Sequence, residues 1–375
     1  MVRFLHTADW QLGMTRHFLG SESQPRFTAA RVEVIRTIGA LAAAEGCGFV
    51  VVAGDVFETN HVERQVVERA LDAMAATPAV TFYLLPGNHD PLDAASVFRS
   101  PTFLRHRPAN VVVLDAPGPV PVAPGIELVA VPWHHKHPLV DLVADAMAGL
   151  TADGTTRIVV GHGATDWLSA DRANPAAIAA APLEAALADG RITYVALGDR
   201  HSTTSVGSTG RIWYAGAPEP TDFREIDPGN VVLVDLADGT VTAEPRTVGT
   251  WRFVAHEASL AGPADVGALH TFLDAFADKA RTIVRLSLVG QLGLVDMVTL
   301  DEVLDHHTQL FASLERWKRG SELVVLPADG DFGALQLAGF ARDGLADLEA
   351  HAHGADGRVA QDALALLYRL VGGAA

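Results

Sequence analysis

The chain is poor in three things, and each shortage narrows its class. It has one cysteine, Cys47, in 375 residues. One thiol forms no internal disulfide and builds no thiolate metal site, and the composition fits a reducing compartment, so a cytoplasmic location is expected. Cys47 precedes an apolar segment and reads as a small core residue. No apolar run approaches the roughly 20 residues that span a bilayer. The uncharged stretch 116–126 is broken by prolines. No leader is read at the start, where a short apolar segment reaches Asp9 at once. Basic residues are also scarce. Lys plus Arg number 28 against 45 Asp plus Glu, a net charge of −17. That excludes a free-standing, non-specific DNA binder, whose footprint is basic. A nucleic-acid role then needs a local basic patch or a partner that supplies one.

What is present is material for a large core. Hydrophobic residues make up 49% and charged residues 19%. That suffices for one large domain and one or two small ones. The first half alternates strands and helices. Strands are expected at 3–6, 49–52, 80–85, 111–114, 127–131, 157–160 and 194–197. Helices are expected at 27–45 and 62–76, with a loop and helix across 173–188. Continuous apolar runs imply strands buried on both faces, in a layered core flanked by helices. Strands follow at 212–214 and 231–234. Near 246–251 the pattern changes to a small α+β unit: strand 252–256, helix 264–277, strand 282–289, helix 300–314, then a strand at 322–326. The tail from 332 reads as largely helical, with an amphipathic segment Gln361 to Val371. The resulting division is 1–248, 249–330 and 331–375.

Five short motifs stand where expected strands end. They are Asp9-Trp10-Gln11, Gly54-Asp55, Gly87-Asn88-His89-Asp90, Gly161-His162 and Gly198-Asp199-Arg200-His201. In open sheets, ligand sites form beyond the carboxyl ends of strands. The preceding glycines let the chain turn sharply and bring short side chains inward. Asp, Asn, His and amide side chains suit hard or borderline divalent cations. Singly, each has an ordinary reading as a turn former, helix cap or loop residue. Jointly they read as one metal pocket. Asp55 can bridge two cations, with Asp9 and His201 on one side and Asn88, His162 and Asp199 on the other. Such a pair activates water and clamps a phosphate for in-line displacement. His89 suits a general acid for the leaving oxygen, and Asp90 an acceptor that orients it. His134-His135-Lys136-His137 reads as a polar surface loop that can also line the pocket.

The motif order resembles the calcineurin-like metallophosphoesterases. Within them, His6-Thr7-Ala8-Asp9-Trp10-Gln11-Leu12-Gly13 and Ala196-Leu197-Gly198-Asp199-Arg200-His201 resemble the SbcD-type DNA repair nucleases. So does Tyr214-Ala215-Gly216-Ala217-Pro218-Glu219-Pro220. The resemblance covers about 1–245 strongly and the small unit more weakly. It implies an α/β metallophosphoesterase β-sandwich with flanking helices and a small α+β capping domain. It implies a nuclease that uses two divalent ions, Mn2+ or Mg2+. The implied partners are DNA, an SbcC-type ATPase of the SMC class, and a second copy docked through helices 62–76 and 96–106. The 361–371 segment is then the ATPase contact, or an ordinary packed helix. The family has His where this chain has Gln11 and Asp199. Gln is a weaker ligand than imidazole and shuttles no proton, so the Gln11-side ion is expected to bind weakly. Asp keeps a ligand for a hard cation. Two other readings stay open: a phosphodiesterase for small molecules, and a scaffold subunit with weakened catalysis.

Overall fold

The computed structural model describes residues 2–326 apart from 170, 172 and 238, and residues 339–351, 359–360, 363–364 and 366–367. Most of the expected 361–371 helix lies outside the described residues. The chain divides into two compact units. One comprises 1–17 and 24–251, the other 18–23 and 252–375.

The first unit begins with β1 (Val2–Thr7), α1 (Ser23–Ala44), β2 (Phe49–Val52), α2 (Arg64–Ala75), β3 (Thr81–Leu84), α3 (Pro101–His106) and β4 (Val111–Val113). It continues with β5 (Gly118–Ala123), β6 (Ile126–Ala130), α4 (Leu142–Met147), β7 (Thr156–His162), α5 (Ala180–Ala188), β8 (Tyr194–Gly198), β9 (Thr204–Val206), β10 (Ile212–Tyr214), β11 (Asn230–Ala237) and β12 (Thr240–Thr247). Two six-stranded sheets result, ordered β12-β11-β1-β2-β3-β4 and β5-β6-β7-β8-β10-β9. Alternate residues serve opposite faces. Phe4, Phe49 and Val51 join Ile158, Val160, Tyr194 and Ala196 in the core between the sheets. Leu5, Val50 and Val52 instead pack on the α1 and α2 side, with Ile35, Ile38 and Leu71. Val129, Val159 and Val195 pack against Val143, Leu183 and Leu187 of α4 and α5. The architecture is a β-sandwich with helices on both outer faces.

Most expected strands fall within a residue or two of their observed positions. β5 is not among them, because Pro119 and Pro121 argue against a strand. It is an edge strand, where proline is tolerated.

The second unit contains β13 (Arg252–Leu260), α6 (Pro263–Asp274), β14 (Thr282–Gly293), α7 (Leu294–Thr308), β15 (Ser313–Arg316), β16 (Glu322–Leu326) and α8 (Phe340–His351). Its described strands all pair in parallel, with β13 on one edge of β14 and β15 and β16 along the other. The helix expected at 300–314 starts and ends six residues earlier, and Ser313 and Leu314 lie in β15. Leu300 and Leu304 face the core one turn apart, as an amphipathic helix requires.

Candidate metal centre

The parallel order β1-β2-β3 in one sheet and β7-β8 in the other carries the five motifs to the same end of the sandwich. Backbone bonds then zip the outgoing loops together. Asp9 N donates to Gly54 O at 3.1 Å, Gln11 N to Asp55 O at 2.9 Å, and Gly163 N to Gly198 O at 3.1 Å. His162 is the last residue of β7 rather than the first of a loop, and it pairs with Gly198.

Five described non-glycine residues have positive φ: Asp9, Gln11, Asp55, Asp199 and Asp227. Four of them are candidate ligands. Each such conformation costs on the order of 1–3 kcal/mol, and such strain gathers at functional sites. Two glycines are needed for close approach rather than for turning alone. A Cβ on Gly54 would lie 2.1 Å from His162 Nδ1, and one on Gly87 2.2 Å from Asp55 Oδ1.

Asp9, Asp55 and His162 each offer a ligand atom, all within 4.8 Å of one another, and all three are buried. His162 Nδ1 donates to Ala53 O at 2.9 Å. Its other nitrogen, Nε2, then faces Asn88 Oδ1 at 2.7 Å, Asp55 Oδ1 at 3.4 Å and Asp199 Oδ1 at 3.9 Å. Acceptor oxygens on every side of this nitrogen call for a cation there, either a proton on the ring or a metal ion in its place. Asp9 accepts from Asp199 N at 3.0 Å.

On the other flank His201 Nδ1 lies 2.7 Å from Thr221 Oγ1 and 2.9 Å from Glu225 Oε1. The carboxylate fixes Nδ1 as the protonated nitrogen, the arrangement found behind metal-binding histidines. His201 Nε2 faces Gln11 Nε2 at 3.1 Å. The Gln11 amide oxygen is buried without a hydrogen-bond partner. An orphaned carbonyl-type oxygen beside buried carboxylates fits a hard cation. The residues present therefore fit divalent metal. Asp55, His162, Asn88 and Asp199 would hold an ion on one flank, and Asp9, Asp55, Gln11 and His201 on the other.

The electrostatics agree. Burial raises the Asp9 carboxyl to about 6, and Asp55 adds to this against the pull of His201 and His162. Burial likewise raises Asp55, but His162 and His89 outweigh it and leave Asp55 below its ordinary value. Burial pushes His162 down, yet Asp55, Asp9 and Asp199 hold it well above the usual imidazole value. For His201 burial also acts downward, and the Glu225 hydrogen bond and Asp9 raise it overall.

His89 is half-buried. Its backbone N–H donates to Asp55 Oδ1 at 3.0 Å and its Nδ1 to Glu58 O at 2.9 Å. This corrects the role expected of Asp90. The Asp90 carboxylate accepts from Gly87 N at 2.7 Å and Phe57 N at 2.9 Å, so it closes the loop instead of orienting His89. Burial, then Asp55, raises it to about 7. Its side chain is spent on backbone donors because the turn at Gly87 folds it back under the loop. His135, Lys136 and His137 are exposed. They follow Trp133, whose indole N–H donates to His162 O at 2.8 Å. Thr221, Glu225 and the Glu58 carbonyl carry no signal in the sequence. They come from segments far from the histidines they hold.

This fold and site define a metal-dependent phosphoester hydrolase. The calcineurin-like phosphoesterase family matches residues 2–233, and the chain belongs to it. Among curated proteins it is similar to the D subunit of the nuclease SbcCD from Rhodobacter capsulatus. The two are 27% identical over 295 residues, 66% of this chain and 69% of that protein. Among solved structures it is similar to TT1561 of Thermus thermophilus, at 10% identity and a TM-score of 0.41, covering 65% of this chain and 98% of that one. A dimetal phosphatase from Danio rerio matches at 13% identity and a TM-score of 0.43, covering 66% and 96%. Among the described residues no helix is long and apolar enough to cross a membrane.

Proposed function

We propose that this chain is a metal-dependent phosphodiesterase that cuts DNA, as the nuclease subunit of an assembly with an SbcC-type ATPase. The supporting observation is the centre on Asp9, Asp55 and His162, set in a chain whose curated relative is a nuclease subunit. Bound divalent metal, Mn2+ in our reading, would supply a hydroxide and a clamp on the phosphate. The chain's own residues do the rest. Asp55 holds the His89 backbone and so fixes where that ring stands. The Glu58 carbonyl takes the Nδ1 proton, so it is the doubly protonated ring that hands its Nε2 proton to the leaving oxygen and is left as the neutral Nδ1–H tautomer. Glu225 and Thr221 keep His201 in one tautomer. The net charge of −17 leaves DNA capture to a partner that supplies basic surface. Dimerisation through α2 and α3 belongs to the same reading.

The test is cleavage of duplex DNA ends with Mn2+, by the full chain alone and with the ATPase. Metal-dependent cleavage that His89→Ala lowers by about 10²- to 10⁴-fold is expected. The acidic surface favours one other reading, hydrolysis of small diesters. Turnover of a generic diester with no DNA cleavage, even with the ATPase, would select it.

A further inference from the structure

Arg31 lies in the middle of α1 and is 2% exposed. Its guanidinium binds three backbone carbonyls. Nη1 donates to Trp10 O at 2.8 Å, and Nη2 to Pro220 O at 3.2 Å and Glu219 O at 3.4 Å. It sits over the Phe27 ring at 4.9 Å, and Phe27 meets Trp251 edge-on. Its Nε has no partner among the described residues. Glu219 first, then Glu225 and Glu58, favour its charge through space. The Glu219 carboxylate is committed to Thr250 N, Thr250 Oγ1 and Trp251 N at 2.8–3.0 Å. Burying a cation is costly, and here burial outweighs those acids and lowers the Arg31 pKa to about 10. A core that needed only packing would hold an apolar side chain here.

The three carbonyls show what the cation does. Trp10 stands between Asp9 and Gln11, both in left-handed backbone. Pro220 leads into Thr221, which is pinned at every polar group. Thr221 N donates to Glu225 Oε2 at 2.8 Å, and its carbonyl accepts from Arg16 Nη2 at 2.6 Å. Its hydroxyl binds Glu225 and faces His201 Nδ1. One planar fork therefore ties the turn carrying Asp9 and Gln11 to the segment that braces His201. Lysine offers one nitrogen and cannot span the two segments.

We propose that Arg31 is a positioning residue for the His201 flank of the centre, setting the Asp9–Gln11 turn and the Thr221–Glu225 brace against each other. This rests on the metal-centre reading above. It concerns the flank whose ligand, Gln11, is weakest. Arg31 touches neither ion nor substrate. It governs how well Asp9, Gln11 and His201 face one point.

The test is calorimetric Mn2+ titration of the full chain, with thermal unfolding in parallel. Arg31→Lys, Thr221→Val and their double variant are compared with the parent. Where the weaker binding step is unresolved in the parent, the series is repeated in the Gln11→His background. Loss of a bracing partner typically weakens metal binding about 10- to 100-fold. We expect each single variant to weaken the weaker step by about ten-fold or more and to spare the tighter one. The double variant should lose little more than Arg31→Lys alone, because both act through one brace. Parental affinity in Arg31→Lys, equal weakening of both steps, or additive losses would each overturn the proposal. Arg31→Gln keeps two amide donors and replaces Arg31→Lys if the latter does not fold. If neither folds, Arg31 is a folding residue and the proposal fails. A parent chain that takes up no Mn2+ would remove the metal reading as well. That result is distinct from uptake that Arg31 does not affect.

Discussion

The two flanks of the centre are built from different materials. The His162 ring is fully buried, and its contacts come from Asp55, Asn88 and Asp199, which follow the ends of β2, β3 and β8. Around His201 the brace comes from an irregular segment 20 to 24 residues downstream, and the facing side chain is an amide whose oxygen is left unpaired. The first flank inherits its precision from the parallel ladders that end beside it. The second depends on loops held by Arg31, Arg16 and Glu225. Precision drawn from a sheet needs few supporting side chains, and a loop needs many. The comparison says which flank tolerates change and which fails first.

The largest effect is expected where the flanks meet. Asp55→Asn removes the carboxylate shared by both and weakens the hold on the His89 backbone. We expect loss of Mn2+ uptake by calorimetry and a fall in turnover of about three orders of magnitude or more, since bound metal supplies several kcal/mol of charge stabilisation. Retained uptake of both ions would show that the flanks do not share Asp55.

His89→Ala separates chemistry from binding. Proton transfer by a placed histidine contributes about 10²- to 10⁴-fold. Turnover should fall on that scale while Mn2+ affinity stays within about two-fold of the parent, given that the His89 ring is held by the Glu58 carbonyl. A parallel loss of metal would make His89 part of the His162 flank instead of a proton donor.

Gln11→His sharpens the contrast directly. It replaces an amide with an imidazole, a better ligand for Mn2+ or Zn2+. The weaker binding step should tighten by about ten-fold, the scale of a single ligand's support. Equal affinity in both proteins would mean that Gln11 does not limit the His201 flank.

The parts of this centre visible in sequence are those that depend on local order. A strand that ends in Gly-Asp or Gly-His delivers its side chain to the sheet edge whatever happens elsewhere. Asp55 and His162 are therefore legible from the residue order alone, and Asp9 from its place just past β1. The role of Asp90 is not, because adjacency to His89 suggests a contact that the Gly87 turn prevents. Glu225 and Thr221 are not, because nothing in residues 215–227 reveals which distant histidine they face. Arg31 reads as an ordinary residue of an amphipathic helix until the carbonyls around it are seen. In the small unit, periodicity locates α7 but slides its ends, since Leu300 and Leu304 fix a face and not a boundary.

The smallest effect separates histidines that serve the centre from one that supports the fold. His6 on β1 is as buried as His162, but no carboxylate among the described residues is bonded to it. Its ring lies 3.2 Å from Tyr194 Oη and 3.2 Å from Leu197 O. Burial pushes its pKa down to about 3, while His162 beside Asp55 is pushed up. In the unfolded chain His6 takes up a proton near pH 6.5; in the fold it stays neutral until about pH 3. The unfolded state therefore binds more protons as pH drops below 6.5, and stability is lost in that window at up to about 1.4 kcal/mol per pH unit. Above pH 6.5 the contribution is fully present and flat. Chemical unfolding between pH 6.5 and 5, at fixed salt and with chelator present, should give a slope that His6→Gln reduces by about that amount. The variant should be less stable at pH 7 through imperfect packing, and the two proteins should converge as the pH falls. An unchanged slope would mean that His6 is protonated in the fold and that its burial does not set it apart from the histidines of the centre.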